Sequence, residues 1–194
     1  MKAATGITSA APSARRRIVD DVGDRWLGRA ALLFTVAVII HNGDHLRRGA
    51  ETLSTDVFWV GGLGGIALEV AVVVLVCQRH RLAPLAAAVV GAVLAASYLE
   101  VHFLPAHYWL SDSFTSAPHV SPLSVTAASL EVLAALVVGA VGLTVLRRRG
   151  GLASTVRPHP GQRRLVEALL HPLALVMIVS QAAMLSVFFV QRFG

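Results

Sequence analysis

Four long, predominantly apolar stretches divide this chain: Val57 to Cys77, Leu82 to Leu104, Leu123 to Leu146 and Leu165 to Val190. Each is long enough to cross the hydrocarbon core of a bilayer at ~1.5 Å per residue. A fifth, shorter stretch precedes them, uninterrupted only from Ala30 to Ile40. No small-residue cleavage site follows it, so it reads as a first span and not as a signal peptide. A helix beginning near Trp26 crosses in ~20 residues and ends near His45. With 55% of its 194 residues apolar, the chain is too apolar for an ordinary soluble domain. The expected fold is an all-α integral membrane protein, a five-transmembrane-helix bundle with spans at about 26–45, 57–77, 82–104, 123–146 and 165–190. Residues 26–194 form its single domain, and residues 1–25, basic and without apolar periodicity, are expected to be a disordered cytoplasmic tail.

The charges give an orientation. Six Lys and Arg residues lie before Ala30, two (Arg79, Arg81) between spans two and three, and six (Arg147, Arg148, Arg149, Arg157, Arg163, Arg164) between spans four and five. Only Arg47, Arg48 and Arg192 fall on the opposite side. Positive residues collect on the cytoplasmic side, which places the N-terminus in the cytoplasm, the C-terminus outside and the protein as a multi-pass component of the plasma membrane. Trp59, Tyr108 and Trp109 then sit at the outer interface and Trp26 at the inner one. The arginines flank apolar runs with few aromatics between them, so they mark a membrane face and not a nucleic-acid surface. A single cysteine, Cys77, excludes an intramolecular disulfide and a Cys-rich metal site. No glycine-rich nucleotide loop is present.

Five of the eight histidines, His41, His45, His102, His107 and His119, lie on the arginine-poor side. Span length puts His41 to His45 at the outer membrane boundary. On a helix His41, Asp44 and His45 share one face, and two imidazoles one turn apart beside a carboxylate suit a divalent metal. Asp44 is expected either to ligate or to fix a histidine tautomer. Span three ends with Tyr98, Glu100, His102, Pro105 and His107. Glu100 and His102 are two residues apart, about 200° around a helix, so one of them faces the bundle and the other does not. The loop that follows carries Asp112 and His119 and no Lys or Arg, a composition expected to fold over the helix ends as a lid.

Two further carboxylates lie inside spans, where an ionisable group marks a functional candidate. Glu69 shares a stripe with Gly61 and Gly65, and Glu131 one with Ser124, Ala127, Ala128, Ala134 and Ala135. Small residues permit close helix approach, so both glutamates are expected to face neighbouring helices. Counting inward, Glu100 lies ~6 Å deep, Glu131 ~12 Å and Glu69 ~17 Å. The tripeptide Leu-Glu-Val recurs at 68–70, 99–101 and 130–132. The first and third copies have the same orientation, with His45 and His107 at the same offset, which raises a duplication of spans one and two as spans three and four, with a fifth helix added.

Two designs fit this pattern. In one, His41, Asp44, His45, His102 and His107 supply metal ligands, with zinc or iron the suitable ions. Glu100 or Glu131 then acts as general base on a lipid-like or other small-molecule ligand from the bilayer. In the other, Glu69, Glu131 and Glu100 form a proton or cation path. Histidines at similar depth on spans one and three also admit a b-type haem. A non-catalytic membrane-protein partner or oligomer subunit, with polar residues that only specify helix packing, is a third possibility. Span five offers Glu167 and His171, which suit interfacial solvation, and Gln181, a mid-membrane amide expected to bond a neighbouring helix. His80 and His159 read as solvated loop residues.

Overall fold

The computed structural model describes residues 14–49, 52–105, 109–156, 159 and 161–194. Among these residues all regular structure is helical, and five helices are long and apolar enough to cross a membrane. Helix α1 spans Ala14–Arg48. A π-helical segment, Val57–Leu63, leads into α2, Gly64–Cys77. Helix α3, Ala83–Tyr98, ends in a second π-helical segment, Leu99–Phe103. Helix α4 is Pro122–Arg148. A short α5, Leu165–Leu169, precedes α6, Pro172–Phe193.

The three middle spans fall within two residues of the hydropathy boundaries, because apolar length dictates them. The two outer ones differ. Helix α1 starts at Ala14 and not near Trp26, so residues 14–25 are helical where a disordered tail was expected. Tertiary ion pairs hold this extension. Arg149, just beyond α4, places Nη2 2.8 Å from Asp24 Oδ1 and Nε 3.2 Å from Asp20 Oδ1. His159 joins them, with Nε2 3.4 Å from Asp24 Oδ2, and is half-buried rather than solvated; loss of solvent pushes its imidazole below the usual range. The fifth span breaks at residues 170–171, so Glu167 belongs to α5. Pro172 lacks the N–H needed to continue a helix, and the His171 ring accepts from Leu173 N as the cap of α6.

One face of α1 enters the core: Leu27, Ala30, Ala31, Phe34 and Val38 are buried at helical spacing. The same face then carries His41 and Arg48, also buried. The opposite face, including Leu32, Leu33, Val36 and Ile40, is exposed and apolar, as a lipid-facing surface must be. Helix α4 is central, lying along both α1 and α3. The packing does not support a duplicated hairpin, since α3 and α4 run closely together whereas α1 and α2 meet only briefly.

The start of α4 is capped by Ser121, whose Oγ accepts from Ser124 N, while the Ser124 hydroxyl accepts from Ser121 N. Such a reciprocal cap satisfies two otherwise orphaned N–H groups. Ser121→Ala is expected to lower stability by ~1 kcal/mol in thermal unfolding, whereas Ser121→Asp should retain most of it.

Candidate metal centre

The buried face of α1 and the π-helical end of α3 bring three imidazoles together. His41, His45 and His102 each offer a ring nitrogen, and these atoms lie within 4.8 Å of one another. The His41 ring meets His45 and His102 edge to face, with centroids 4.5 and 4.8 Å away. His102 is buried and Glu100 is exposed, the alternation that their two-residue spacing requires. π-Helical turns concentrate at functional positions, and here one of them presents His102.

Hydrogen bonding determines which nitrogens are free. Arg48 Nη2 lies 2.8 Å from His45 Nδ1, and a guanidinium only donates, so that nitrogen is an acceptor. The proton of His45 is then on Nε2, which donates to His41 Nε2 at 3.0 Å. His102 Nδ1 donates to the Asp112 carbonyl at 3.3 Å and stands 3.5 Å from Asp112 Oδ2, leaving Nε2 for a ligand. A carboxylate behind the distal nitrogen is the arrangement that orients metal-binding histidines. His41 Nδ1 and Glu131 Oε2 are among the buried atoms with no hydrogen-bond partner, the latter 3.4 Å from His41 Nε2.

The carboxylate serving the imidazoles is Asp112, not Asp44. Asp44 accepts from Arg47 Nε at 2.9 Å and faces Arg48 Nε at 3.3 Å, so the expectation that it ligates or orients a histidine is not met. Its position one turn before both arginines explains this, because i,i+3 and i,i+4 partners on a helix lie within reach. Arg48 is fully buried between Asp44 and Asp112, with Nη2 2.5 Å from Asp112 Oδ2. Asp112 arrives because the loop between α3 and α4 folds back: Asp112 N donates to Val101 O and Phe114 N to His102 O, and the Phe114 ring stacks on His102 at 5.0 Å. These bonds satisfy carbonyls at the end of α3 that the helix leaves open. The lid expected of this loop is therefore formed by residues 109–121. His119 lies near its end, where its carbonyl accepts from Arg47. His107 and Tyr108 lie outside the described residues.

Below the imidazoles, the two intramembrane glutamates converge on one hydroxyl. Tyr98 Oη donates to Glu69 Oε1 at 2.5 Å and also interacts with Glu131. Gln181 Nε2 donates to Glu69 Oε2 at 3.1 Å, and Asn42 Nδ2 to Gln181 Oε1 at 3.1 Å. A continuous polar chain thus runs from α6 through α2, α3 and α4 to His41 on α1. Glu69 and Glu131 flank Tyr98, in place of the descending series of three carboxylates expected from depth, and exposed Glu100 stands apart from them. Gln181 does bond neighbouring helices as its composition suggested. Tyr98, Asn42, Asp112 and Arg48 were given no such role by sequence reasoning.

A cavity of about 380 Å³ adjoins this cluster. Its polar end carries His41, His45, His102, Glu69, Tyr98 and Glu131, and Glu100 also borders it. Its other walls are apolar, from Val57, Ile66, Leu94, Met184 and Phe188. Gly61 and Gly62 of the first π-helical segment and Gly64 and Gly65 of α2 line it, and a Cβ on Gly65 would touch Glu69 Oε1 at 3.9 Å and Tyr98 Oη at 4.0 Å. An apolar chamber ending in imidazoles and carboxylates can take a molecule with one polar end. No family model matches this chain, and neither a curated protein nor a solved structure matches it.

Proposed function

We propose that this chain is a multi-pass plasma-membrane protein that binds a divalent transition metal through His41, His45 and His102 and acts as a metal-dependent enzyme on a small amphipathic substrate. The observation that carries this reading is the convergence of three buried imidazoles beside Glu131, a buried carboxylate whose Oε2 lacks a hydrogen-bond partner. Nitrogen and carboxylate donors suit zinc or iron over a soft metal. The edge-to-face contact of His41 with His102 favours a single ion over a haem, which would have to separate the two rings. Arginine asymmetry supports an N-terminus in the cytoplasm and a site facing outward.

The bound ion would supply Lewis acidity, which polarises a substrate oxygen or lowers the pKa of water. The protein's own groups do the rest. His102 is oriented by Asp112. Arg48 holds His45 Nδ1 as an acceptor and so orients Nε2 of the same ring toward His41 and the site. Glu131, beside His41 and in contact with Tyr98, is placed to act as general base. The apolar walls would limit water around a bound substrate, which strengthens electrostatic interactions at the polar end of the chamber.

Elemental analysis of the purified full-length chain tests this. Roughly one zinc or iron per chain is expected, lost in His41→Ala and His102→Ala while His119→Ala retains it. A chain without stoichiometric metal, or variants with unchanged metal content, would overturn the proposal. The hydrogen-bonded chain Asn42–Gln181–Glu69–Tyr98 favours a second reading, proton-coupled transport through Glu69. Under that reading Glu69→Gln abolishes proton uptake into liposomes without altering metal content.

A further inference from the structure

At the opposite end of the bundle from the imidazoles, α1, the end of α2 and the start of α6 enclose a second cavity, of about 580 Å³. Four guanidinium-bearing residues line it: Arg25, Arg29, Arg79 and Arg163. Arg25 and Arg29 stand one turn apart on α1, a spacing at which like charges repel. Among the described residues neither has an ion-pair or hydrogen-bond partner, and the same holds for the Arg163 side chain. Arg79 has only distant carboxylates, 3.9 Å from Asp21 and 3.9 Å from Asp24. Asp24 is the one acid in the lining, and Arg149 and His159 already engage it.

Local structure gathers these arginines. The Arg163 backbone N donates to Gln78 O at 2.8 Å, pinning the chain before α5 against the end of α2. Arg79 occupies the position after α2 at φ +52°, where glycine is the usual residue because L side chains disfavour it. Its neighbour His80 donates from N to Leu75 O, completing the helix-terminating motif. Burial and the charges of Arg163 and Arg79 push the His171 imidazole, also in the lining, below its usual range. The cavity thus combines repelling cations with a single, already engaged acid. Its remaining walls are apolar and continue onto the lipid-facing surface, where Leu32 of α1 is 54% exposed and Val176 of α6 52%.

We infer that this cavity binds an anionic phospholipid, its phosphodiester among Arg25, Arg29, Arg79 and Arg163 and an acyl chain along the groove between Leu32 and Val176. Basic pockets between transmembrane helices recognise such headgroups, and a zwitterionic lipid would bring its cation to four arginines and a single acid, Asp24, already paired with Arg149 and His159. The inference does not depend on a metal at the other end of the bundle.

Native mass spectrometry of the full chain in neutral detergent tests it, with phosphatidylglycerol and phosphatidylcholine of identical acyl chains as probes. Wild type should bind phosphatidylglycerol more tightly than phosphatidylcholine, and Arg25→Gln with Arg29→Gln should weaken phosphatidylglycerol binding by about tenfold or more. Arg147→Gln with Arg148→Gln removes the same charge from exposed positions outside the cavity and should leave the preference intact. Equal binding of the two lipids by wild type, or equal losses in both double variants, would overturn the inference. Displacement of phosphatidylglycerol by millimolar inorganic phosphate would also overturn it, since the ligand would then be free phosphate. Thermal melting of each variant in detergent separates loss of the site from loss of fold.

Discussion

Replacing Arg48 by alanine is expected to lower the unfolding free energy by about 3–5 kcal/mol, the range found when one partner of a buried ion pair is removed. The Arg48 side chain is 0% exposed, ion-pairs with Asp44 and Asp112 and donates to His45. Without it, two nearly inaccessible carboxylates remain in a water-poor space with no full counter-charge for Asp112. Arg48→Met, which retains volume and loses charge, should be nearly as damaging. Arg47→Ala provides the contrast. Arg47 also pairs with Asp44, but its side chain is 41% exposed, and such pairs contribute only ~0–1 kcal/mol. Thermal unfolding in detergent, read by the reactivity of buried Cys77 with a thiol dye, distinguishes the two. Equal losses for Arg47 and Arg48 would show that the Asp44–Arg48–Asp112 cluster is solvated. The same cluster positions the metal candidates, since Asp112 is shared between Arg48 and His102. A damaged Arg48 variant should therefore also lose the loop's hold on His102.

How much of this was legible in the sequence differs from residue to residue. Apolar length marked Val57, Cys77, Pro122 and Arg148 as span limits to within two residues, because a bilayer leaves the backbone few alternatives. Residues 14–25 of α1 escaped, since their helix is held by Arg149, more than a hundred positions away, and hydropathy carries no such partner. His41 and His45 followed from span length and helical spacing. His102 was named together with Glu100, but only the backbone register at the π-helical end of α3 decides which of the two turns inward. Asp112 joined the site through a fold-back of the loop between α3 and α4, and no local pattern announces that. Arg48 was detectable in principle. It continues the stripe of Leu27, Phe34, Val38 and His41, and an arginine on the inward stripe of a span, on the arginine-poor side, calls for a buried acid.

Gly91→Val is expected to be among the most disruptive single changes, costing more than ~3 kcal/mol and keeping His102 from meeting His41 and His45. At Gly91 of α3 an added Cβ would lie 2.6 Å from Ala135 O, 2.7 Å from Gly139 N and 2.8 Å from Gly139 Cα, all backbone atoms of α4. Backbone cannot rotate out of the way as a side chain can, so the helices must separate. Gly142 repeats the contact from the other side, its Cβ position being 2.6 Å from Ala88 N and 2.7 Å from Pro84 O. Small residues at such crossings let helices approach closely within a membrane. The damage should propagate, because the helix carrying Gly91 also carries Tyr98 and leads to His102, while α4 carries Glu131. Even Gly91→Ala should lower the melting temperature and reduce metal content in parallel. Gly43→Ala is the internal control: its Cβ would meet nothing within 4 Å, so the ordinary helix preference for alanine should raise stability by up to ~1 kcal/mol. A Gly91→Ala protein as stable as the Gly43→Ala protein would mean that α3 and α4 do not cross at Gly91, and the placement of Tyr98 against Glu131 would fail with that contact.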